Sequence, residues 1–121
     1  MMNNKKLNKT LEDHKLWLSD KTTGKRANLR HTDLEGADLS YTNLEGANLR
    51  GAYMRGADLE SANLSYANLY GADLEGANLM GADLEGAHMF KAYLGHTEQG
   101  YANLSDAILG GAIFSRRLNN D

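Results

Sequence analysis

Four histidines, sixteen carboxylates and thirteen glycines are the residues of this chain whose types could do chemistry. Zinc or acid–base work would need His14, His31, His88 and His96 at HExxH-like spacing or beside a serine nucleophile, and none is so placed. A phosphate cradle would need GxxxxGK[ST], or GxGxxG opening a helix, and neither occurs. With no cysteine in the chain there can be no disulfide and no thiolate metal site. These residues predict no enzyme, no metal site and no cofactor, and they place the histidines on solvated surface.

The acids and glycines are spaced by something other than chemistry. From Ala27 the chain reads ANLRH TDLEG ADLSY TNLEG ANLRG AYMRG ADLES ANLSY ANLYG and onward to AIFSR, eighteen five-residue units without a frame shift. The first position is Ala, or Thr at 32, 42 and 97. The third is Leu29, Leu34, Leu39, Leu44, Leu49, Met54, Leu59, Leu64, Leu69, Leu74, Leu79, Leu84, Met89, Leu94, Leu104 and Leu109, then Phe114, with Gln99 the polar exception. A period of five fits neither ordinary element. In an α-helix it carries each leucine about 140° further round the axis, and in a straight strand it alternates faces. The leucines can share one interior only if the chain turns a corner in every unit. Positions one and three then face inward along a short extended segment, Gly in position five serves corners that need φ > 0, and Asn or Asp in position two can bond to nearby backbone. A chain bending repeatedly the same way coils and stacks on itself, which predicts a solenoid with a thin Leu/Ala core. Outer residues recurring at 20 (Arg30/Arg50, Asp38/Asp58) suit four sides per coil, whereas Glu45, Glu60 and Glu75 at 15 suit three; both geometries stay open on spacing alone.

The units ADLEG, ANLRG, ADLES and ANLYG resemble the A(D/N)LXX motif of the pentapeptide-repeat family, over residues 27–116. The resemblance implies an all-β fold, a right-handed quadrilateral parallel β-helix of about 4.5 coils, roughly 22 Å tall at the ~4.8 Å strand spacing. It also implies a short N-terminal α-helical cap, and the segment LEDHKLWLSDKTTGKRANL resembles the lead-in of bacterial members. The expected organisation is a cap over 1–26, a solenoid over 27–116 and a tail over 117–121.

Open solenoid ends invite further pairing. At the N-terminus, Thr10 to Asp13 reads as a capping box, Leu7, Leu11 and Leu18 share a helical face, and Trp17 is expected to cover Leu29 and Leu34 of the first coil. The other end carries the most apolar window, with Ile108, Ile113 and Phe114. Two readings of it stand side by side: the tail folds over the last coil, or two copies form a homodimer through the C-terminal coil. Gln99 predicts that residues 96–100 bulge or that its amide bonds to corner backbone, since burying it unpaired would cost roughly 1–3 kcal/mol.

The net charge of −3 is unevenly spread. Residues 1–26 hold seven Lys/Arg against three acids, and residues 27–116 hold five against twelve. If coils have four sides, acids dominate three of them, and one is basic grading to aromatic through Arg30, Arg50, Tyr70 and Phe90, an interface-like set. The chain has neither a signal-peptide-like apolar stretch nor a membrane-length one, so a cytoplasmic protein with a protein partner is expected, with no membrane association and no direct nucleic-acid binding. The primary expectation is a non-enzymatic structural or interaction module with an acidic solenoid surface. Resemblance to quinolone-resistance members implies the alternative, a DNA-mimicking modulator of a type II topoisomerase such as gyrase; the acidic body suits it and the short stack argues against it.

Overall fold

The computed structural model describes residues 2–95 and the backbone of Ile113 and Phe114. The expectations for Gln99 and residues 96–100, for Leu104, Leu109 and Ile108, and for the side chains of Ile113 and Phe114 lie outside the described residues.

From Ala27 the backbone completes a four-cornered circuit every twenty residues. Parallel bridges join Asn28 to Asn48, Asn48 to Asn68 and Asn68 to His88, and likewise Asp33, Tyr53, Asp73 and Tyr93. Two further columns run Asp38–Asp58–Asn78 and Asn43–Asn63–Asp83. Each of these bridges spans twenty residues, which decides for four sides from Asn28 to Tyr93. The 15-residue recurrence of Glu45, Glu60 and Glu75 places them on three different sides.

The unit satisfies its own backbone. In the second coil, the Asn48 N–H donates to the Ala27 carbonyl below (2.9 Å), and Leu49 and Gly51 donate to Asn68 and Tyr70 above (2.7 and 2.8 Å). The Ala52 N–H closes the corner onto the Leu49 carbonyl at 3.0 Å. The remaining N–H, that of Arg50, goes to Oδ1 of Asn48 at 3.1 Å. The same position-two to position-four bond forms at all eleven Asn or Asp second positions described. Asn and Asp are thus interchangeable for this bond, because each makes it with Oδ1; they differ in the second side-chain atom, an amide NH2 or a carboxylate oxygen.

Among the described residues the corners are left-handed without exception. All thirteen fifth positions from 31 to 91 have φ between 55° and 71°, including His31, Tyr41, Ser61, Tyr66 and Lys91. The sequence reading expected this only where glycine stands. The five other residues accept a strain of about 1–2 kcal/mol each because coil stacking dictates the corner. Inside, Leu29, Leu34, Leu39, Leu44, Leu49, Met54, Leu59, Leu64, Leu69, Leu74, Leu79, Leu84, Met89 and Leu94 are all buried, with the first-position alanines from Ala47 to Ala87 between them. The small alanine methyl keeps this narrow interior close-packed.

The N-terminal cap departs from expectation. Helix α1 runs Asn4–Ser19, with Asn3 as N-cap accepting from the Lys6 N–H at 2.8 Å. Thr10 is therefore mid-helix, its hydroxyl bonded back to the Lys6 carbonyl, and the capping box expected there does not form. The sixteen-residue helix is longer than the short one expected. Leu7 is buried in the core cluster while Leu11 and Leu18 are half-buried. The exposed first coil has no coil below to engage its edge groups, and the cap engages several. Met2 N–H donates to the Asp33 carbonyl (3.1 Å) and Arg26 Nε to Gly46 (2.6 Å). His14 takes two more.

Strand β1 (His88–Met89) pairs in parallel with β2 (Ile113–Phe114), His88 opposite Ile113 and Met89 opposite Phe114. An unbroken four-unit coil would set Ile108 above His88. The observed step from β1 to β2 is one five-residue unit longer. A whole extra unit preserves the inward–outward phase, and this is why the repeat frame in the sequence does not reveal it. Among the described residues no helix is long and apolar enough to cross a membrane.

Candidate interaction surface

With a twenty-residue pitch the outward residues sort into four sides. The first side is built from residues 27–31, 47–51, 67–71 and 87–91. It carries Arg30, Arg50 and Lys91, with His31 and His88, and not one Asp or Glu. The second side sets Asp33, Glu35, Asp73 and Glu75 against Arg55; the third has Asp38, Asp58 and Glu60; the fourth has Glu45, Asp83 and Glu85. With histidine neutral, the first side carries a net charge of +3 and each of the other three a net charge of −3.

On the first side the stacking interval brings position-four side chains into a ladder. The Arg50 guanidinium lies 4.4 Å from the Tyr70 ring centroid. Tyr70 in turn stacks on Phe90 (6.1 Å) and on His88 (5.6 Å), both at 26°. Arg30 and Arg50 are exposed and, among the described residues, have no carboxylate partner. Arg55 on the second side is the contrast: it bonds Glu75 at 2.5 Å and lies 3.7 Å from Asp73. The Glu75 carboxylate raises its pKa, and burial followed by Glu75 raises that of the Tyr93 phenol. On the third side Asp38 is held below the usual carboxylate range by the Ser40 hydroxyl and then the Ser40 N–H.

The four residues proposed from sequence as a partner surface, Arg30, Arg50, Tyr70 and Phe90, thus share one side and one column. Asn28, Asn48 and Asn68 lie on that same side, and sequence reasoning missed that their Oδ1 atoms are held by backbone N–H groups, which leaves the amide NH2 as the uncommitted half of each side chain. The signal was present in the Asn/Asp choice at position two, but its meaning needs the Oδ1 bond.

The histidine reading needs correction at His14. It is fully buried, not solvated. Its Nδ1 accepts from the Ala27 N–H at 2.9 Å, so the proton sits on Nε2, which donates to the Glu45 carbonyl at 2.8 Å. Burial, reinforced by Lys21 and Arg26, lowers its pKa against the opposing pull of the Glu45 bond. The hint was available: 7, 11, 14 and 18 lie on one helical stripe. Trp17 stacks on His14 at 5.4 Å and lies beside the Gly46 corner of the first coil, with Lys21 Nζ 3.7 Å above its ring. Leu11, Glu12, Lys15, Tyr41, Thr42 and Asn43 line an open groove of about 340 Å³ between α1 and the first coil. Among the described residues no three His, Asp or Glu side chains converge as a metal site.

The family model for pentapeptide repeats (8 copies) matches residues 27–65 and 57–95. No curated protein matches the chain. Among solved structures, a pentapeptide repeat protein from the cyanobacterium Cyanothece 51142 is 42% identical, with TM-score 0.69 over 75% of this chain and 58% of that one. A pentapeptide repeat protein from the Arabidopsis thaliana thylakoid lumen is 29% identical over 70% of this chain and 63% of its own, with TM-score 0.40. Trypsin-treated QnrB1, a plasmid-mediated fluoroquinolone resistance protein, is 21% identical over 80% and 70%, with TM-score 0.39. The chain spans less than two thirds of the first two.

Proposed function

The chain belongs to the pentapeptide-repeat family, and from that premise we propose that it is a non-enzymatic protein-interaction module: a rigid solenoid over 27–116, sealed by the cap 1–26, whose sides present fixed charge patterns. We read the coil as right-handed, the sense in which parallel crossover connections nearly always wind. One observation carries the functional reading. The fold asks of position two only an Oδ1 and of position four only a backbone N–H, yet the free atoms of those positions, Arg55 apart, are segregated by sign among the four sides. Charges spread only to keep a protein dissolved would be interspersed. Such a surface recognises a partner by electrostatic complementarity, which governs encounter rate and register.

The test is affinity capture from the producing cell with the intact chain immobilised. The reading expects a protein retained in stoichiometric amount and released by salt. Retention of no protein above a bead control would end it. A second reading, modulation of a type II topoisomerase by DNA mimicry, draws on the three acidic sides with their regular rung spacing. A gyrase supercoiling assay decides it: inhibition or protection at micromolar protein supports mimicry, and neither at that concentration removes it.

A further inference from the structure

We infer that the first side is the docking strip of this module and that its occupant is an acidic, extended segment of a protein partner. The inference rests on the interaction-module reading and names the side and the chemistry of the partner.

The strip carries donors and no carboxylate. Arg30 and Arg50 lack carboxylate partners among the described residues, Asn28, Asn48 and Asn68 each keep an amide NH2 beside an Oδ1 already held by backbone, and Lys91 adds a third positive charge. On the third side the corresponding Asn78 amide is already spent on Asp58 at 3.3 Å; among the described residues the Asn28, Asn48 and Asn68 amides make no such bond to one another. A row of amide donors flanked by guanidinium groups is complementary to carboxylates and to the carbonyls of an extended chain. Arg30 to Phe90 covers three coil intervals, roughly 14 Å at strand spacing, the reach of about four or five extended residues. Tyr70 and Phe90 close the strip with apolar area next to the charges, as interface cores do.

The same geometry disfavours a single-stranded nucleic acid, which needs free ring faces for its bases. Arg50 covers one face of Tyr70, and Phe90 and His88 stack on the ring from the next coil. The flanking second and fourth sides are acidic, so a long polyanion would meet repulsion on either edge of the strip while a short acidic segment would not.

The experiment uses the full chain and a fluorescein-labelled peptide of six consecutive glutamates, read by anisotropy, with a ten-nucleotide oligothymidylate as competitor. Saturable binding is expected at about 50 mM salt, weakening steeply by 300 mM. Asn48→Asp/Asn68→Asp retains the Oδ1 bond that Asp forms elsewhere in the coil, so it leaves the fold intact while reversing the donors. It should weaken the peptide at least tenfold, whereas Asn43→Asp/Asn63→Asp on the fourth side should change it less than twofold. Absence of saturable binding, equal loss in both double variants, or tighter binding of the oligothymidylate would each overturn the assignment. If stoichiometric capture of a cellular protein survives Asn48→Asp/Asn68→Asp, the strip is wrong and the module reading stands. If the chain captures no protein at all, the module reading itself fails.

Discussion

Replacing His14 by glutamine should remove a pH dependence that the wild-type cap possesses. The imidazole is fully buried, accepting from Ala27 N–H at Nδ1 and donating from Nε2 to Glu45. A second proton has no place, because Nδ1 already faces a donor. Burial accordingly holds the pKa below its ordinary 6.5, with Lys21 and Arg26 acting in the same direction. Below pH 6.5 the unfolded chain binds a proton that the folded chain refuses. The stabilisation is therefore complete above 6.5 and is lost as pH falls from there to the lower folded value, at up to about 1.4 kcal/mol per pH unit. Asp20, Asp33 and Asp38, lowered from 3.8 by their hydrogen bonds, titrate below the pH range assayed. The assay is urea unfolding at pH 7.5, 6.5 and 5.5, followed by the fluorescence of Trp17, the lone tryptophan, 5.4 Å from His14. Glutamine is neutral and carries both a donor and an acceptor, so His14→Gln should show a flatter profile over that range. His14→Ala, which strands the Ala27 N–H and the Glu45 carbonyl, should lose about 2–4 kcal/mol at pH 7.5. Equal pH slopes for wild type and His14→Gln would refute the reasoning.

Gly24→Ala should destabilise the cap by about 2–4 kcal/mol, seen in Trp17 emission, because φ is +64° and a Cβ would drive into the Asp13 carbonyl oxygen and sit 2.8 Å from Trp17 N. Corner strain and steric fit separate at two other glycines. Gly36→Ala meets nothing and should cost about 1 kcal/mol, while Gly86→Ala meets the Tyr66 ring at 2.5 Å and should cost more. Adding Tyr66→Ala to Gly86→Ala should return it toward the Gly36→Ala value, as a double-mutant cycle by denaturant unfolding would show. Asp58→Asn keeps the bond to Glu60 N–H and should stay within about 0.5 kcal/mol, whereas Asp58→Ala should lose about 1. Leu59→Ala, in the fully buried column, should cost about 2–5 kcal/mol by thermal or urea melt.

The interior was legible because five-residue spacing leaves a leucine only one dry place, and Leu29 through Leu94 show that constraint directly. Coil pitch was less so. Arg30/Arg50 and Glu45/Glu60/Glu75 pulled toward different side counts, and only backbone pairing, invisible in side-chain identity, chooses between them. His14 escaped because a histidine among lysines on a polar helix reads as surface; its role depends on two backbone groups left unpaired at the first coil's edge, one of them thirty-one residues away. The Ile113 register escaped because an added unit is silent in a period of five. The basic-to-aromatic column was visible in outline, but the split of Asn48 and Asn68 into a committed oxygen and an uncommitted amide needed the hydrogen bond that pins their oxygens.

The account stands most directly on the twenty-residue rung. Trans-hydrogen-bond scalar couplings in labelled protein report it: the Leu49 amide nitrogen should couple to the Asn68 carbonyl carbon and Leu69 to His88, matching the 2.7 Å bonds. Couplings from Leu49 to Asn63, the partner that a three-sided coil would supply, would contradict the four-sided solenoid and the charge segregation built on it.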